Sequence, residues 1–133
     1  MESATFLGRS ILTVEDDQLI TLELTSLFES AGAQVIAART YEQAVIAIER
    51  YQISAALLDH GLQEEDVALF CELLTKRQIP FMFYTGYADL ERSYPGVVIV
   101  QKPACADVLL AKMADVVASD QLARPGYKRP LAA

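Results

Sequence analysis

Short apolar runs alternate with longer amphipathic segments along most of the chain. The runs predict five strands, at about Ile11–Glu15, Gln34–Ala37, Ser54–Asp59, Phe81–Thr85 and Val97–Gln101. Between them, apolar residues recur at the three- and four-residue spacing of one helix face. This spacing predicts helices over about Gln18–Ser30, from Thr40 to about Tyr51, Glu65–Arg77 and Ala106–Ala118. The alternation predicts a doubly wound α/β domain with a five-stranded parallel sheet.

The domain is expected to occupy residues 10–118 of the 133-residue chain, with residues 1–9 as a flexible lead-in and 119–133 as a flexible tail. Only eleven residues, 86–96, separate the fourth strand from the fifth. At ~3.6 residues per turn, they have room for one or two helical turns around Ala88–Ser93. We therefore expect a shortened fourth helix.

Polar side chains stand where the predicted strands end. Glu15 and Asp16 follow the first strand, Asp59 ends the third, Thr85 ends the fourth, and Lys102 follows the fifth. In an open α/β sheet these positions meet at one edge, where ligands bind. Each residue alone is more often a helix cap or a solvated side chain. Their ordered occurrence at four strand ends is far more specific.

This combination suits phosphoryl chemistry. A carboxylate such as Asp59 can form an aspartyl phosphate. Oxygen ligands from Glu15, Asp16 and Asp59, with a backbone carbonyl, suit Mg²⁺. Lys102 could neutralise phosphoryl oxygens, and the Thr85 hydroxyl could donate a hydrogen bond to them.

Composition narrows the function classes. The net charge of −7 speaks against general nucleic-acid binding, which depends on Lys and Arg. The first residues lack a signal-peptide pattern, and no apolar run approaches the ~20 residues of a membrane span. We therefore expect a cytoplasmic protein that does not bind membranes. Cys71 and Cys105 lack metal-type spacing and are expected to be reduced thiols in or near the core.

Over about residues 10–118, the sequence resembles the receiver domains of two-component response regulators. The motifs that carry the resemblance are Ile11–Asp17, Leu57–Asp59, Tyr84–Tyr87 and Gln101–Pro103. The resemblance implies the flavodoxin-like strand order 2-1-3-4-5. It also implies that a histidine kinase or a histidine phosphotransfer protein phosphorylates the chain.

The resemblance also implies a role for each site residue. Asp59 is the expected phosphoacceptor, Thr85 the switch hydroxyl, and Lys102 the phosphoryl-contacting lysine, with a Lys-Pro bond that is commonly cis in receivers. Glu15 and Asp16 are expected to position Mg²⁺ with Asp59 and the backbone carbonyl of Gly61. Glu15 stands where Asp is common, and Glu is an accepted variant there.

Two features differ from the usual receiver pattern, and both concern the switch by which a receiver passes on its signal. Ile99 stands three positions before the lysine, where the usual switch has an aromatic residue. The stretch Phe83–Tyr87 and the short fourth helix are similar to a single-domain receiver branch with a Phe-x-Thr-Gly-Tyr motif. We expect Tyr87 and the loop 86–93 to replace the usual switch. His60 is expected to have a structural or surface role.

The leading hypothesis is a receiver that signals by protein contact, as a monomer or weak dimer, and is not an enzyme acting on a separate substrate. Its kinase-recognition surface is expected at Asp17–Phe28 and Pro103–Ala106. The alternatives are a phosphorylation-independent adaptor and a receiver excised from a hybrid histidine kinase. A phosphatase of the haloacid-dehalogenase type is disfavoured, because Gly61 stands where such enzymes have a second Asp.

Overall fold

The computed structural model describes residues 5–61, 64–86 and 90–118. Within these residues, five strands and four helices follow one another in the predicted order, and the predicted short helix between the fourth and fifth strands is not among them. The strands and helices are β1 (Ser10–Val14), α1 (Gln18–Ser30), β2 (Gln34–Ala38), α2 (Tyr41–Arg50), β3 (Ala55–Leu58), α3 (Glu64–Lys76), β4 (Phe81–Thr85), β5 (Val98–Gln101) and α4 (Ala106–Ala118).

The strands form one parallel sheet in the order β2-β1-β3-β4-β5. In the register, Val14 pairs with Leu58, and Leu58 pairs with Phe83. The carboxyl ends of β1, β3 and β4 therefore lie side by side. The predicted fold class is confirmed.

The central strand β3 is buried on both faces, since every residue of Ala55–Leu58 is 0% exposed. Ala55 and Leu57 pack in a layer that contains residues of α1 and α4. Ala56 and Leu58 pack in the opposite layer, with residues of α2 and α3. A strand covered by helices on both sides reads as an unbroken apolar run. Asp59, the next residue, is the first polar group of that segment.

Side-chain caps fix the starts of two helices. The Asp17 carboxylate accepts hydrogen bonds from the backbone N–H groups of Leu19 and Ile20, at 2.9 and 3.2 Å. The Thr40 hydroxyl accepts the N–H of Gln43 at 3.1 Å. Such caps satisfy N–H groups that have no partner inside the helix. The cap at Asp17 fixes α1 directly after the two acidic residues that follow β1.

Phe6 lies in the predicted lead-in, but its side chain packs in the core. Its side chain is 1% exposed, and its ring lies 5.9 Å from that of Phe28 in an edge-on arrangement. Its backbone N–H donates to the carbonyl of Ala31 at 2.8 Å. A single aromatic residue has no periodicity to reveal it, so the sequence pattern missed this contact. Residues 1–4 and the predicted tail 119–133 lie outside the described residues.

The link from β4 to β5 is short, as the sequence predicts. At residue 86 and over residues 90–97, the part of this link that the structure describes, there is no α-helix. The N–H of Tyr94 donates to the carbonyl of Leu90 at 3.0 Å, which closes one turn. Leu90 is buried and anchors that turn in the core. Tyr87 and its neighbours 88 and 89 lie outside the described residues.

Of the helices in the described part of the chain, none is long and apolar enough to cross a membrane.

Candidate functional site

Asp59 lies directly after β3 and is 8% exposed. Its N–H donates to the carbonyl of Val14 at 3.1 Å and extends the pairing of β1 with β3 by one residue. One carboxylate oxygen, Oδ1, accepts the N–H of Gly61 at 3.1 Å. The Asp59 backbone carbonyl accepts the hydroxyl of Tyr41 at 3.0 Å. These bonds fix Asp59 at the carboxyl edge of the sheet.

Three carboxylates meet at this edge. Oxygen atoms of Glu15, Asp16 and Asp59 lie within 4.8 Å of one another. Glu15 is 1% exposed, and its Oε2 accepts the N–H of Asp17 at 3.0 Å. Mg²⁺ prefers oxygen ligands and commonly uses one or two carboxylates together with water. The set of three carboxylates therefore fits a magnesium ion, and the carbonyl of Gly61 remains a predicted fourth ligand.

Lys102 brings a positive charge to the carboxylates. Its ammonium Nζ lies 2.8 Å from Oε1 of Glu15 and 3.1 Å from Oδ2 of Asp59. Its backbone N–H donates to the carbonyl of Thr85 at 2.8 Å, which fixes the residue after β5 against β4. The Lys102–Pro103 peptide bond is cis. The lysine predicted from the fifth strand thus contacts the two carboxylates predicted from the first and third.

The pKa values of the ion pair follow from burial and charge. Burial raises the pKa of Glu15, and hydrogen bonds from Lys102 and from the Asp17 N–H partly oppose this rise. Burial alone lowers the pKa of Lys102, but the hydrogen bonds to Glu15 and Asp59, together with the negative charges of these carboxylates, outweigh burial and raise that pKa above its usual value. Lys102 therefore carries its charge at neutral pH.

Thr85 is the last residue of β4 and is 0% exposed. Its Cα pairs with that of Gln101, next to Lys102 in the chain. The hydroxyl therefore lies inside the protein at the same edge as Asp59. The roles of Thr85, Lys102 and the carboxylates in phosphoryl chemistry remain predictions from the sequence.

Sequence reasoning missed the aromatic side chains around the site. The ring of His60 lies 5.7 Å from those of Phe83 and Tyr94, and the Phe83 and Tyr94 rings are 4.8 Å apart. Ile99 packs against the same layer of the core. Tyr94, from the turn before β5, thus places an aromatic ring beside the residue that follows Asp59. The sequence signals the position of Tyr94 only through the link between β4 and β5, which is too short for a full helix.

Comparison with known proteins points to one family. No protein-family model matches the chain. The phyllosphere-induced regulator PhyR of Methylorubrum extorquens is 31% identical over 121 residues. That match covers 84% of this chain and 45% of PhyR, so the chain spans less than half the length of this relative.

Solved structures resemble the chain over most of its length. A CheY-like response regulator receiver domain protein from Methanospirillum hungatei is 28% identical, with a TM-score of 0.73 over 82% of this chain and 93% of that protein. The receiver domain of a Pseudomonas aeruginosa sensor histidine kinase, solved with magnesium in its active-site cleft, is 24% identical, with a TM-score of 0.73 over 84% and 99%. A response regulator from Thermotoga maritima is 18% identical, with a TM-score of 0.75 over 85% and 100%.

Proposed function

We propose that the chain is a response-regulator receiver domain and that Asp59 accepts a phosphoryl group from a histidine kinase or a histidine phosphotransfer protein. Its similarity to PhyR and to the receiver domain protein of Methanospirillum hungatei supports the family assignment. The observation that carries the proposal is the Lys102 ammonium, held 2.8 Å from Glu15 and 3.1 Å from Asp59. Phosphoryl transfer depends mainly on positioning and on charge stabilisation.

In the proposed step, a carboxylate oxygen of Asp59 attacks the phosphorus of a phosphohistidine. The P–N bond breaks, and its electron pair stays on the imidazole nitrogen, which takes up a proton. The product is an aspartyl phosphate. Later, water attacks this phosphorus, the P–O bond to Asp59 breaks, and inorganic phosphate leaves.

The side chains around Asp59 have separate roles in the proposed transfer. In this proposal Lys102 neutralises phosphoryl oxygens as a point charge, and its contacts with Glu15 and Asp59 support that role. Thr85, the last residue of the adjacent strand, donates its hydroxyl to the same oxygens. When bound by Glu15, Asp16 and Asp59, Mg²⁺ supplies further positive charge against the phosphoryl oxygens. In this proposal the chain phosphorylates and dephosphorylates itself and does not turn over a separate substrate.

A groove between α1 and the start of α4 supports the predicted kinase-recognition surface at Asp17–Phe28 and Pro103–Ala106. It has a volume of about 620 Å³ and is lined by Leu22, Leu27 and Leu109 among others. An apolar groove of this kind suits a partner's amphipathic helix. We expect Leu22→Asp to slow transfer from a phosphohistidine donor more than uptake from acetyl phosphate. Ile46→Asp on α2, which changes another exposed apolar residue, is the matched control.

Intact-mass measurement after incubation with Mg²⁺ and acetyl phosphate tests the proposal. The expected result is a single phosphoryl adduct that is absent from Asp59→Asn and is lost when EDTA removes the metal. No adduct, even with a range of histidine-kinase donors, would contradict it. That result would favour the phosphorylation-independent adaptor.

A further inference from the structure

Tyr84, the next-to-last residue of β4, is a tyrosine in the core directly beside the site. It is 6% exposed and packs in the layer formed with α1 and α4. The Phe-x-Thr-Gly-Tyr motif leaves this position unspecified, so the resemblance gives Tyr84 no role. Two contacts connect it to the segment that carries Lys102.

The first contact is a hydrogen bond to the backbone after β5. Pro103 has no N–H, so only its neighbours in this segment can donate one. The N–H of Lys102 donates to the carbonyl of Thr85 at 2.8 Å, and that of Ala104 donates to the hydroxyl of Tyr84 at 3.2 Å. The last two residues of β4 therefore hold the segment on both sides of the proline.

The second contact is between the ring and the lysine charge. Nζ of Lys102 lies 5.7 Å from the centroid of the Tyr84 ring, within the range of a cation–π interaction. The lysine side chain is a flexible four-carbon stem and needs packing to keep one position. Here it is 19% exposed and ends between the carboxylates of Glu15 and Asp59.

We propose that Tyr84 is a positioning residue for phosphoryl transfer. Its hydroxyl anchors the segment after β5, and its ring holds the Lys102 ammonium at the carboxylates. The inference rests on the proposed roles of Asp59 and Lys102. Tyr84 also lines the groove between α1 and α4, so a partner in that groove would contact the side chain that orients the lysine.

Two substitutions distinguish the effect of the Tyr84 hydroxyl from that of its ring. Tyr84→Phe removes the hydroxyl and keeps the ring, whereas Tyr84→Leu removes both. For Tyr84→Phe we expect the rate of uptake at saturating acetyl phosphate and Mg²⁺ to fall roughly three- to tenfold. For Tyr84→Leu we expect roughly a further two- to fivefold loss. Tyr51→Phe, which removes an exposed hydroxyl, is the matched control and keeps the wild-type rate.

Three further measurements distinguish positioning from general damage to the fold. Affinity for Mg²⁺, from calorimetry, should not fall in either variant. Glu15 and Asp59 keep the N–H groups of Asp17 and Gly61 as donors, and a displaced lysine would compete less with the metal for these carboxylates. The Ala104 amide should exchange its hydrogen faster in Tyr84→Phe. The ring-current shift of the Lys102 side-chain protons should survive in Tyr84→Phe and disappear in Tyr84→Leu.

The inference is overturned if Tyr84→Phe takes up phosphoryl groups at the wild-type rate, or if its Ala104 amide keeps its protection. An equal loss of rate and of Mg²⁺ affinity would also overturn it, because the effect would then be on the whole site. Tyr84→Phe decides the matter even if Tyr84→Leu does not fold. Failure of the proposed function is visible separately, as an absence of uptake by the wild-type chain.

Discussion

Replacement of Lys102 by methionine tests the electrostatics of the site. The substitution keeps an unbranched side chain and removes the charge that lies 2.8 Å from Glu15 and 3.1 Å from Asp59. Glu15 is 1% exposed, so water cannot replace the lost partner fully. We expect slower phosphorylation, a less stable apo protein and tighter binding of Mg²⁺.

The size of each expected effect follows from the contacts of Lys102 with Glu15 and Asp59. At an effective dielectric constant of 20, two unit charges about 3 Å apart interact by about 5 kcal/mol, and desolvation offsets most of this gain. Hydrogen bonds to charged groups contribute a net ~1.5–3 kcal/mol, and we expect this loss in the free energy of unfolding without metal. Removal of one donor to a developing negative charge commonly costs ~10²–10³ in rate. Because Lys102 and Mg²⁺ compete for the same carboxylates, metal affinity should rise by about tenfold, or ~1.4 kcal/mol.

The assay combines urea unfolding with and without Mg²⁺, calorimetric titration of Mg²⁺, and the time course of the phosphoryl adduct by intact mass. Lys112→Met, on the exposed side of α4, is the matched control and should change none of these quantities. Uptake by Lys102→Met at the wild-type rate would refute the role given to the ammonium. Weaker binding of Mg²⁺ would refute the competition between lysine and metal.

Three other predictions follow from burial. Phe6→Ala should lower the free energy of unfolding by about 3–5 kcal/mol in urea titrations, whereas Ala at the exposed Leu7 should change it little; equal effects would contradict the placement of Phe6. Cys71 is buried as expected, and burial raises the pKa of its thiol, but Cys105 is exposed and the expectation that it lies in or near the core is wrong. A thiol reagent should therefore modify Cys105 in the native protein and Cys71 only after unfolding. Burial raises the pKa of Tyr94 to about 12, so stability should fall as pH rises from about 10 to about 12, where only the unfolded state loses this proton. Ultraviolet titration should lose a step near pH 12 in the Tyr94→Phe variant, and an unchanged titration would contradict the assignment.

Helices and strands were predictable where residues close in sequence mark their ends. The limits of α1, β4 and α4 are those that the sequence predicts, because an apolar helix face or strand ends at recognisable polar or turn residues. The edge position of Asp59 was predictable for a similar reason. A buried parallel strand is apolar throughout, and its first polar residue marks the end where ligands bind.

The contacts that support the site were not predictable, since they join residues that are distant in sequence. The hydroxyl of Tyr41 reaches the carbonyl of Asp59 across 18 positions, and the hydroxyl of Tyr84 is 20 positions from its donor Ala104. Each tyrosine also fits the apolar pattern of its own helix or strand. Periodicity identifies such a ring as part of the core but does not indicate the partner of its hydroxyl.

The most direct test of phosphoryl transfer to Asp59 is to locate the phosphoryl group. After incubation with Mg²⁺ and acetyl phosphate, borohydride reduction converts an aspartyl phosphate to homoserine, and peptide mass spectrometry then identifies the modified position. Phosphorylation of Asp59 predicts homoserine at position 59 alone. Homoserine at Asp16 or Asp17, or at no position in a chain that carries the phosphoryl mass, would contradict it.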